Sequence, residues 1–364
     1  MAKNQNSLSG LALQKFKKSF WGVFSFWFII VVGLISIFAY VLAPDNSQYA
    51  NQMHLSIHSQ KPGFKVQMLS LPSTNNIQQS GLNKIFFGNK NASTEIPISD
   101  YSIEDDHLVY TEFASKELKG MTKSIPLSDL GDHTPNQLIE ERTFVFGTDK
   151  YGRDLLSRIL VGARISFFIG FVAVFISLVI GILMGSISGY FGGRVDAAIM
   201  WIINVTWSIP TLLLVIAITL ALGKGFWQVF IAVGLTMWVE VARVVRGQII
   251  SVKEQQYVTA AKALGFSDAR IIIRHILPNI MAPVIVISAA NFAAAILIES
   301  GLSFLGIGAQ PPMASWGAMI KDHYNYIILG KPYLAIIPGL CIMSLVMAFM
   351  MIGNTLRDAL DVKT

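Results

Sequence analysis

Six long apolar segments constrain this chain more than any other feature of its sequence. A helix needs about 20 apolar residues to cross the hydrocarbon core of a bilayer, and each segment reaches or approaches that length. Only 14% of the 364 residues are charged, whereas soluble domains carry about 25%. The segments lie at residues 21–42, 165–190, 197–222, 226–245, 283–305 and 333–354. The pattern predicts an all-α polytopic membrane protein with six transmembrane helices.

Lys and Arg residues are distributed unevenly between the short loops. If the N-terminus is cytoplasmic, most of them fall on the inner side, as the positive-inside rule requires. Lys150, Arg153, Arg158 and Arg164 are exceptions, but they follow a long loop, where the rule is weak. We therefore predict that both termini are cytoplasmic. The formal net charge of +6 then belongs to the inner loops and predicts no nucleic-acid partner.

A polar region separates the first two apolar segments. Between Pro44 and Arg142 the apolar runs are short, and Asn, Gln, Ser, Asp and Glu dominate. Residues 63–69, 84–88 and 105–113 are typical of short strands. We expect an inserted, partly β extracytoplasmic domain. The predicted division is a cytoplasmic N-terminal segment 1–20, a first transmembrane helix 21–43, the insert 44–143, a core 144–356 with five transmembrane helices and a cytoplasmic loop 251–282, and a cytoplasmic tail 357–364.

Several catalytic motifs do not occur in the sequence. There is no glycine-rich phosphate-binding loop ending in Gly-Lys-Ser/Thr, no H-E-x-x-H and no C-x-x-C. The single cysteine, Cys341, lies in an apolar run and cannot form an internal disulfide. These observations argue against an enzyme, and we predict no cofactor, no metal and no catalytic residue.

The loop after the fourth segment reads YVTAAKALGFSDARIIIRHILP, from Tyr257 to Pro278. Its apolar residues follow helical spacing, Gly265 suits the left-handed end of a first helix, and Ser267 suits the N-cap of a second. Phe266 and Ile271 stand at the positions of a hydrophobic staple. Pro278 is expected to end the second helix. The stripe on the first helix consists of Tyr257, Ala260, Ala261 and Leu264.

That stripe is small and the segment is sharply bent, which favours docking to a protein partner. An amphipathic helix lying on lipid is the alternative. Interfacial helices usually present a larger apolar face rich in Leu, Phe or Trp, which this stripe lacks. The physical pattern therefore predicts a docking surface without identifying what binds there.

The loop resembles the coupling-loop motif of ATP-binding-cassette (ABC) importer permeases, E-A-A, three residues, Gly, then an L-P about a dozen residues later. Here it reads Thr259-Ala260-Ala261, Gly265 and Leu277-Pro278. Thr259 replaces the Glu, so one charged contact with an ATPase is lost. Stretches beginning at Gly147 (GTDKYGRDLLSRILVGAR), Ile296 (ILIESGLSFLGIGAQPPMASWG) and Gly353 (GNTLRDALD) resemble the dipeptide/oligopeptide (nickel/peptide) permeases, specifically the C-type chain.

The resemblance implies a type I ABC importer permease fold in the bacterial inner membrane. It implies as partners a second permease subunit, two ABC ATPase subunits, an extracytoplasmic peptide-binding protein and membrane lipid. Peptides would be imported, with ATP hydrolysed on the separate ATPase subunits. The residues expected to contact an ATPase are Tyr257, Thr259, Ala260, Ala261, Leu264, Gly265, Phe266, Ser267 and Pro278.

Two residues inside the apolar segments are candidates for the translocation path or the bundle core. Glu299 is ionisable and deep in the fifth segment, where a charge is expensive and usually faces protein or water. Pro210 is expected to kink the third helix. Asp149, Arg153 and Asp154 lie at the predicted outer elbow, just before the second apolar segment. Three roles are open for them: ordering the chain there, contacting the binding protein, or forming surface charge.

Other functions remain open at this stage. The same importer class could carry a nickel chelate or an antibacterial peptide. A secondary transporter would need intramembrane coupling charges or inverted repeats, and a membrane-tethered sensor would not need six spans. Copurification of ATPase subunits would separate these classes.

Overall fold

The computed structural model describes residues 8–71, 79–90, 93–114, 120–130, 134–223 and 225–360. The helices in these ranges are α1 (Leu8–Lys18), α2 (Phe20–Ile37), α3 (Ala39–Leu42), α4 (Gly81–Phe87), α5 (Pro135–Leu138), α6 (Leu155–Phe191), α7 (Gly193–Ser208), α8 (Thr211–Leu222), α9 (Phe226–Val252), α10 (Gln256–Ala263), α11 (Asp268–Ile271), α12 (Leu277–Phe304), α13 (Trp316–His323) and α14 (Tyr333–Leu360). The strands are β1 (Phe64–Leu71), β2 (Thr94–Glu104), β3 (His107–Glu112), β4 (Thr122–Pro126) and β5 (Ile139–Phe144).

The chain divides into two compact units. The helical unit comprises Met1–Val32, Ser166–Gln310 and Leu340–Thr364, and the sheet unit comprises Gly33–Ile165 and Pro311–Gly339. Five helices of the described chain are long and apolar enough to cross a membrane, and a bent pair of helices is a sixth candidate. The five are Phe20–Ile37, Leu155–Phe191, Phe226–Val252, Asp268–Phe304 and Tyr333–Leu360. A multi-pass helical membrane architecture is thus confirmed.

The third apolar segment is broken rather than kinked, which corrects the expectation for Pro210. α7 ends at Ser208, α8 begins at Thr211, and the two helices meet at 93°. Ile209 is extended, with φ −93° and ψ 128°. The residue before a proline is pushed out of the helical region, and proline itself supplies no N–H to the ladder. Both effects act at adjacent positions, so the helix stops and restarts.

Pro278 does not end a helix, contrary to the sequence expectation. A single helical span runs from Asp268 to Phe304, and Pro278 stands in the first turn of α12. The preceding residues Ile272–Ile276 form a π-helical turn, in which the N–H of Leu277 donates to the carbonyl of Ile272. The N–H groups in the first turn of a helix have no intrahelical acceptor, so a proline there loses no hydrogen bond. The π turn before it, whose hydrogen bonds span five residues, joins α11 to α12 without a break.

Close packing of α6 on α9 depends on three glycines spaced four residues apart. A Cβ built on Gly181, Gly185 or Gly189 would lie 2.5–2.9 Å from atoms of α9. At Gly185 that nearest atom is the carbonyl oxygen of Ala242, at 2.5 Å. Small residues at this spacing let two membrane helices approach backbone to backbone. A larger side chain at Gly185 would therefore separate the helices.

The sheet unit contains a five-stranded antiparallel sheet with the strand order β4-β3-β2-β1-β5. Leu69, Ile98 and Leu108 are buried in one cluster, and Met68 and Phe144 are buried in a second. Full burial of such a side chain stabilises a fold by about 1.5–3 kcal/mol. The sheet therefore has apolar packing of its own.

One predicted strand was wrong. Residues 84–88 fall largely within α4, which ends where Gly88 adopts a φ of +78°. A four- or five-residue apolar run has too little periodicity to separate a strand from a helix. The strands predicted at residues 63–69 and 105–113 correspond to β1 and β3, whereas β2, β4 and β5 were not predicted from the sequence.

Candidate functional site

The loop after α9 folds into a bent segment, residues 256–271, called the elbow below. α10 ends in a Schellman motif, because Gly265 N–H donates to the Lys262 carbonyl at 2.9 Å and Phe266 N–H donates to the Ala261 carbonyl at 3.2 Å. Gly265 has a φ of +77°, the left-handed conformation that the sequence predicts. Two backbone bonds therefore hold the bend locally.

The predicted stripe on α10 is divided between two directions. Ala261 is buried together with Val258, and both belong to an apolar cluster with residues of α9 and α12. Tyr257 is 42% exposed and Leu264 is 72% exposed, and Ala260 between them is also exposed. One face of α10 thus attaches the elbow to the helical unit. The opposite face exposes the ring of Tyr257, the methyl group of Ala260 and the side chain of Leu264.

The second half of the elbow is held by side-chain contacts. Ser267 stands at the N-cap of α11, although its side chain makes no capping hydrogen bond in the structure. Asp268, next to it, accepts a 2.6 Å hydrogen bond from the hydroxyl of Tyr190. The guanidinium of Arg270 lies 4.2 Å from the ring centroid of Phe266, and Phe266 packs against the cluster that contains Ile271. These contacts fix the direction of α11.

Three of the remaining residues expected to contact an ATPase are exposed in the helical unit. Thr259 is exposed, and its hydroxyl lies 3.5 Å from the Gln255 carbonyl. Pro278 and Gly265 are exposed as well. The elbow therefore brings together every candidate from Tyr257 to Ser267, while Pro278 lies in the helical span that follows.

Glu299 is buried inside the helical unit, with 1% of its surface exposed. The Ser303 hydroxyl donates to its Oε1 at 2.7 Å, and the hydroxyls of Ser166 and Ser300 lie 3.5 Å from Oε2. The serines come from α6 and from α12 itself. The carboxyl thus lies within a bundle of hydroxyls that links two helices, away from lipid.

Asp149, Arg153 and Asp154 form a buried network before α6 in the sheet unit. Arg153 Nε donates to Asp149 Oδ2 at 2.6 Å, and Arg153 also donates to the side-chain oxygen of Asn51 at 2.9 Å. Arg158 approaches the same Asp149 oxygen at 3.8 Å. Asp149 is fully buried, and Arg153 is 4% exposed. We call residues 147–158 the charged turn.

Asp154 extends this network toward the end of the first apolar segment. It accepts a 2.9 Å hydrogen bond from Ser157 N–H and another from the Ser157 hydroxyl. The backbone N–H of Asp45 donates in turn to that hydroxyl at 2.9 Å. Burial raises the pKa of Asp154, and the bonds from Ser157 counteract part of this rise. Asp45, Asn51 and Ser157 were missed by the sequence reasoning. Nothing local pairs Asp45 or Asn51 with residues 149–154, whereas Asp154 just before an apolar helix is a local N-cap signal that could have indicated its contact with Ser157.

The break between α7 and α8 opens a cavity of about 160 Å³ in the helical unit. Its polar lining includes Thr206, Thr211, Thr236 and Glu240. Pro210 lies beside the cavity because it makes the break. In the described residues, no group of three or more His, Cys, Asp or Glu side chains is arranged to hold a metal ion.

Two family models match the sequence. Residues 162–363 match the binding-protein-dependent transport system inner membrane component, which is more than half of the 364 residues. Residues 7–62 match the N-terminal transmembrane domain of oligopeptide transport permease C. The chain belongs to this family of inner-membrane transport permeases. Its mostly helical architecture, with five or six apolar spans, is that of a type I ABC importer permease.

Known relatives extend the match at the sequence level. The permease is 44% identical over 218 residues to the dipeptide transport system permease protein DppC of Alkalihalophilus pseudofirmus, covering 60% of this chain and 71% of that one. It is equally similar, at 44%, to the oligopeptide transport system permease protein OppC of Escherichia coli K12, with coverage of 60% and 72%. An inward-facing structure of the MetNI methionine ABC transporter aligns with a TM-score of 0.46 and 18% identity, covering 56% of this chain and 96% of that chain.

Proposed function

We propose that this permease is the C-type membrane subunit of an ATP-driven ABC importer that moves di- or oligopeptides into the cell. Family membership and the two relatives with peptide-transport names support this proposal. The chain would hydrolyse no ATP itself. It would work with a second permease subunit, two ABC ATPase subunits and an extracytoplasmic peptide-binding protein, in a bacterial inner membrane whose lipid surrounds its spans.

The exposed face of the elbow is the observation that carries the mechanism. Tyr257, Ala260 and Leu264 point away from the unit that contains them, while Val258 and Ala261 anchor the same helix to that unit. A partner that pushes on the exposed face moves α10, and the apolar contacts transmit the displacement to α9 and α12. Force transfer requires a stiff connection, and the Schellman bonds at Gly265 supply it.

This role places the elbow and both termini in the cytoplasm. It also places the sheet, with strands from Phe64 to Phe144, outside as an extracytoplasmic insert. The division into an N-terminal segment 1–20, first helix 21–43, insert 44–143, core 144–356 and tail 357–364 is part of the same proposal. A nickel chelate or an antibacterial peptide would pass through the same type of machine, because binding proteins select the cargo.

Replacing Leu264 with Asp tests the docking role. Leu264 is 72% exposed, so the substitution removes an apolar contact without creating a cavity in the permease. We expect peptide uptake to fall at least tenfold and ATPase subunits to be lost on purification, while the amount of permease in the membrane is unchanged. Met121→Asp is the matched control, because Met121 is 71% exposed in the sheet unit. Normal uptake by Leu264→Asp would refute the docking role.

A further inference from the structure

The broken third span leaves a recess within the membrane-spanning part of the chain, lined mostly by apolar residues with a few polar ones among them. The cavity of about 160 Å³ lies between the ends of α7 and α8, with α9 and α12 as its other walls. A cavity of about 150 Å³ can hold a group the size of benzene, so the recess has room for one peptide side chain.

Glu240 is the one formally charged residue in the described lining of this recess. Glu240 lies in α9, a helix whose composition is that of a membrane span, and its side chain is exposed. Among the residues that the structure describes, no cationic nitrogen lies within 4.0 Å of the Glu240 carboxylate. An ionised group at such a position is costly unless it faces water or a cation.

The nearest base along the helix contacts α7, at a residue that also lines the recess. Arg243 lies one turn after Glu240, and its guanidinium stands 3.9 Å from the ring centroid of Trp207. It also donates to the side-chain oxygen of Asn204 at 3.3 Å. Both partners are on α7, so Arg243 is held against that helix by a cation–π contact and a hydrogen bond.

The hydroxyls of the recess are arranged as acceptors. Thr206 donates its hydroxyl proton to the Ile202 carbonyl at 2.9 Å, and Thr236 donates to the Val233 carbonyl at 2.8 Å. Each oxygen keeps its lone pairs for a ligand, because a hydroxyl has one proton and two acceptor sites. The C-terminal end of α7 and the N-terminal end of α8 meet here, and their opposite partial charges offset one another. Glu240 then sets the sign of the site.

We propose that Glu240, with Thr206 and Thr236, forms a subsite that favours a cationic side chain on the transported peptide. A lysine ammonium brings three donors and one positive charge, which match a carboxylate and two acceptor hydroxyls. The proposal rests on the proposed function, because the cargo must be a peptide. Its consequence is selectivity: the permease itself favours basic peptides during translocation, in addition to any choice made by the binding protein.

Uptake of two tripeptides of matched shape tests the subsite. The assembled transporter in proteoliposomes is supplied with Ala-Lys-Ala or Ala-norleucine-Ala, which differ only in the terminal ammonium group. In Glu240→Gln, we expect the maximal rate for the lysine peptide to fall at least fivefold relative to the norleucine peptide. Glu240→Asp keeps the charge and should retain the preference. Glu140→Gln is the matched control, because Glu140 is an exposed glutamate in the sheet unit, outside both the recess and the elbow.

Each outcome decides the proposal. An unchanged ratio of the two rates in Glu240→Gln, or an equal loss for both peptides, would overturn it and indicate a packing or assembly role for Glu240. Retained import of the norleucine peptide by that variant would leave the importer function standing. Failure of the unmodified transporter to import either peptide would instead contradict the function on which the subsite depends.

Discussion

The elbow and the charged turn contain the same kinds of residue, but these residues are exposed in the elbow and buried in the turn. Each has acids, bases and left-handed glycine within a short stretch of chain, with Gly147 and Gly152 in the turn and Gly265 in the elbow. In the turn, Asp149 and Arg153 are buried and bonded to each other. In the elbow, Lys262 and Arg270 are exposed and lie over aromatic rings of their own unit. A charged loop can therefore be internal structure in one place and available surface in another.

A left-handed glycine from each region, Gly152 and Gly265, shows the same difference. Gly152 has a φ of +74° and Gly265 a φ of +77°, so both are in the region that favours glycine. A Cβ at Gly152 would meet the His54 carbonyl oxygen at 1.8 Å, whereas a Cβ at Gly265 would meet nothing within 4 Å. The turn is therefore packed closely against neighbouring backbone at Gly152, whereas the elbow has free space beside Gly265.

The largest expected effect is from Asp149→Ala in the turn. The substitution removes the carboxylate that both Arg153 and Arg158 approach, and it leaves buried guanidinium groups without their charge partner. Breaking a buried pair in this way costs about 3–5 kcal/mol. Thermal unfolding of the detergent-solubilised permease should show a large fall in Tm. Glu141→Ala is the control, because Glu141 pairs with Lys65 at 3.6 Å while 63% of its side chain is exposed. A loss of stability no larger than that of the control would contradict the close packing of the turn.

The second-largest effect is expected from alanine substitutions at these two glycines, which should destabilise the turn more than the elbow. Gly152→Ala adds a backbone clash to the left-handed strain, and we expect a loss of about 2–4 kcal/mol. Gly265→Ala adds only the strain, about 1–2 kcal/mol. Asn tolerates this conformation better than Ala, so Gly265→Asn should recover most of that loss. Equal destabilisation by the two alanine variants in a denaturant or thermal assay would remove the distinction.

Acid should destabilise the sheet unit through His54. Burial lowers the pKa of His54 to about 4, with Arg142 adding to the shift and Asp45 opposing it. The unfolded chain binds a proton near pH 6.5 while the folded chain does not, so stability falls as the pH decreases from about 6.5 to 4. The contribution is at most about 3 kcal/mol. His54→Asn should flatten the dependence of Tm on pH in this window, and an unchanged slope would exclude His54 as its source.

The smallest effect on stability is expected at the elbow surface. Leu264→Asp should change the free energy of unfolding by less than about 0.5 kcal/mol, because Leu264 contributes little buried area. The same variant should lose uptake, so stability and transport are separated at this one position. A fall in Tm comparable with that of Asp149→Ala would show that Leu264 is internal structure.

Local signals in the sequence predicted the elbow better than the turn. Gly265 is readable as a helix end because the Schellman motif depends on neighbouring residues only. The buried network around Asp149 and Arg153 includes Asn51 and Asp45, which lie about a hundred residues away in sequence and are brought near by folding. No pattern near residue 149 contains that information. The burial of Ala261, in contrast with exposed Ala260, likewise depends on the packing of α9 and α12.

The membrane helices show a similar division. Six apolar segments were predictable from length and hydropathy, but the 93° break at Ile209–Pro210 was expected only as a kink. The four-residue spacing of Gly181, Gly185 and Gly189 stands in the sequence but was not used for a prediction, and the structure shows that α9 is the helix that packs on them. Ser300 and Ser303 lie within one helical turn of Glu299, but its contact with Ser166 could not be predicted, because Ser166 comes from a distant helix.

Thiol reactivity at position 264 tests the central claim most directly. Cys341 is the chain's only cysteine, so Leu264→Cys in a Cys341→Ala background places one reactive group on the exposed face of the elbow. Maleimide should label it quickly in the isolated permease and at least tenfold more slowly when the ATPase subunits are bound, whereas Met121→Cys should react equally in both states. Equal labelling of Leu264→Cys with and without those subunits would contradict the account.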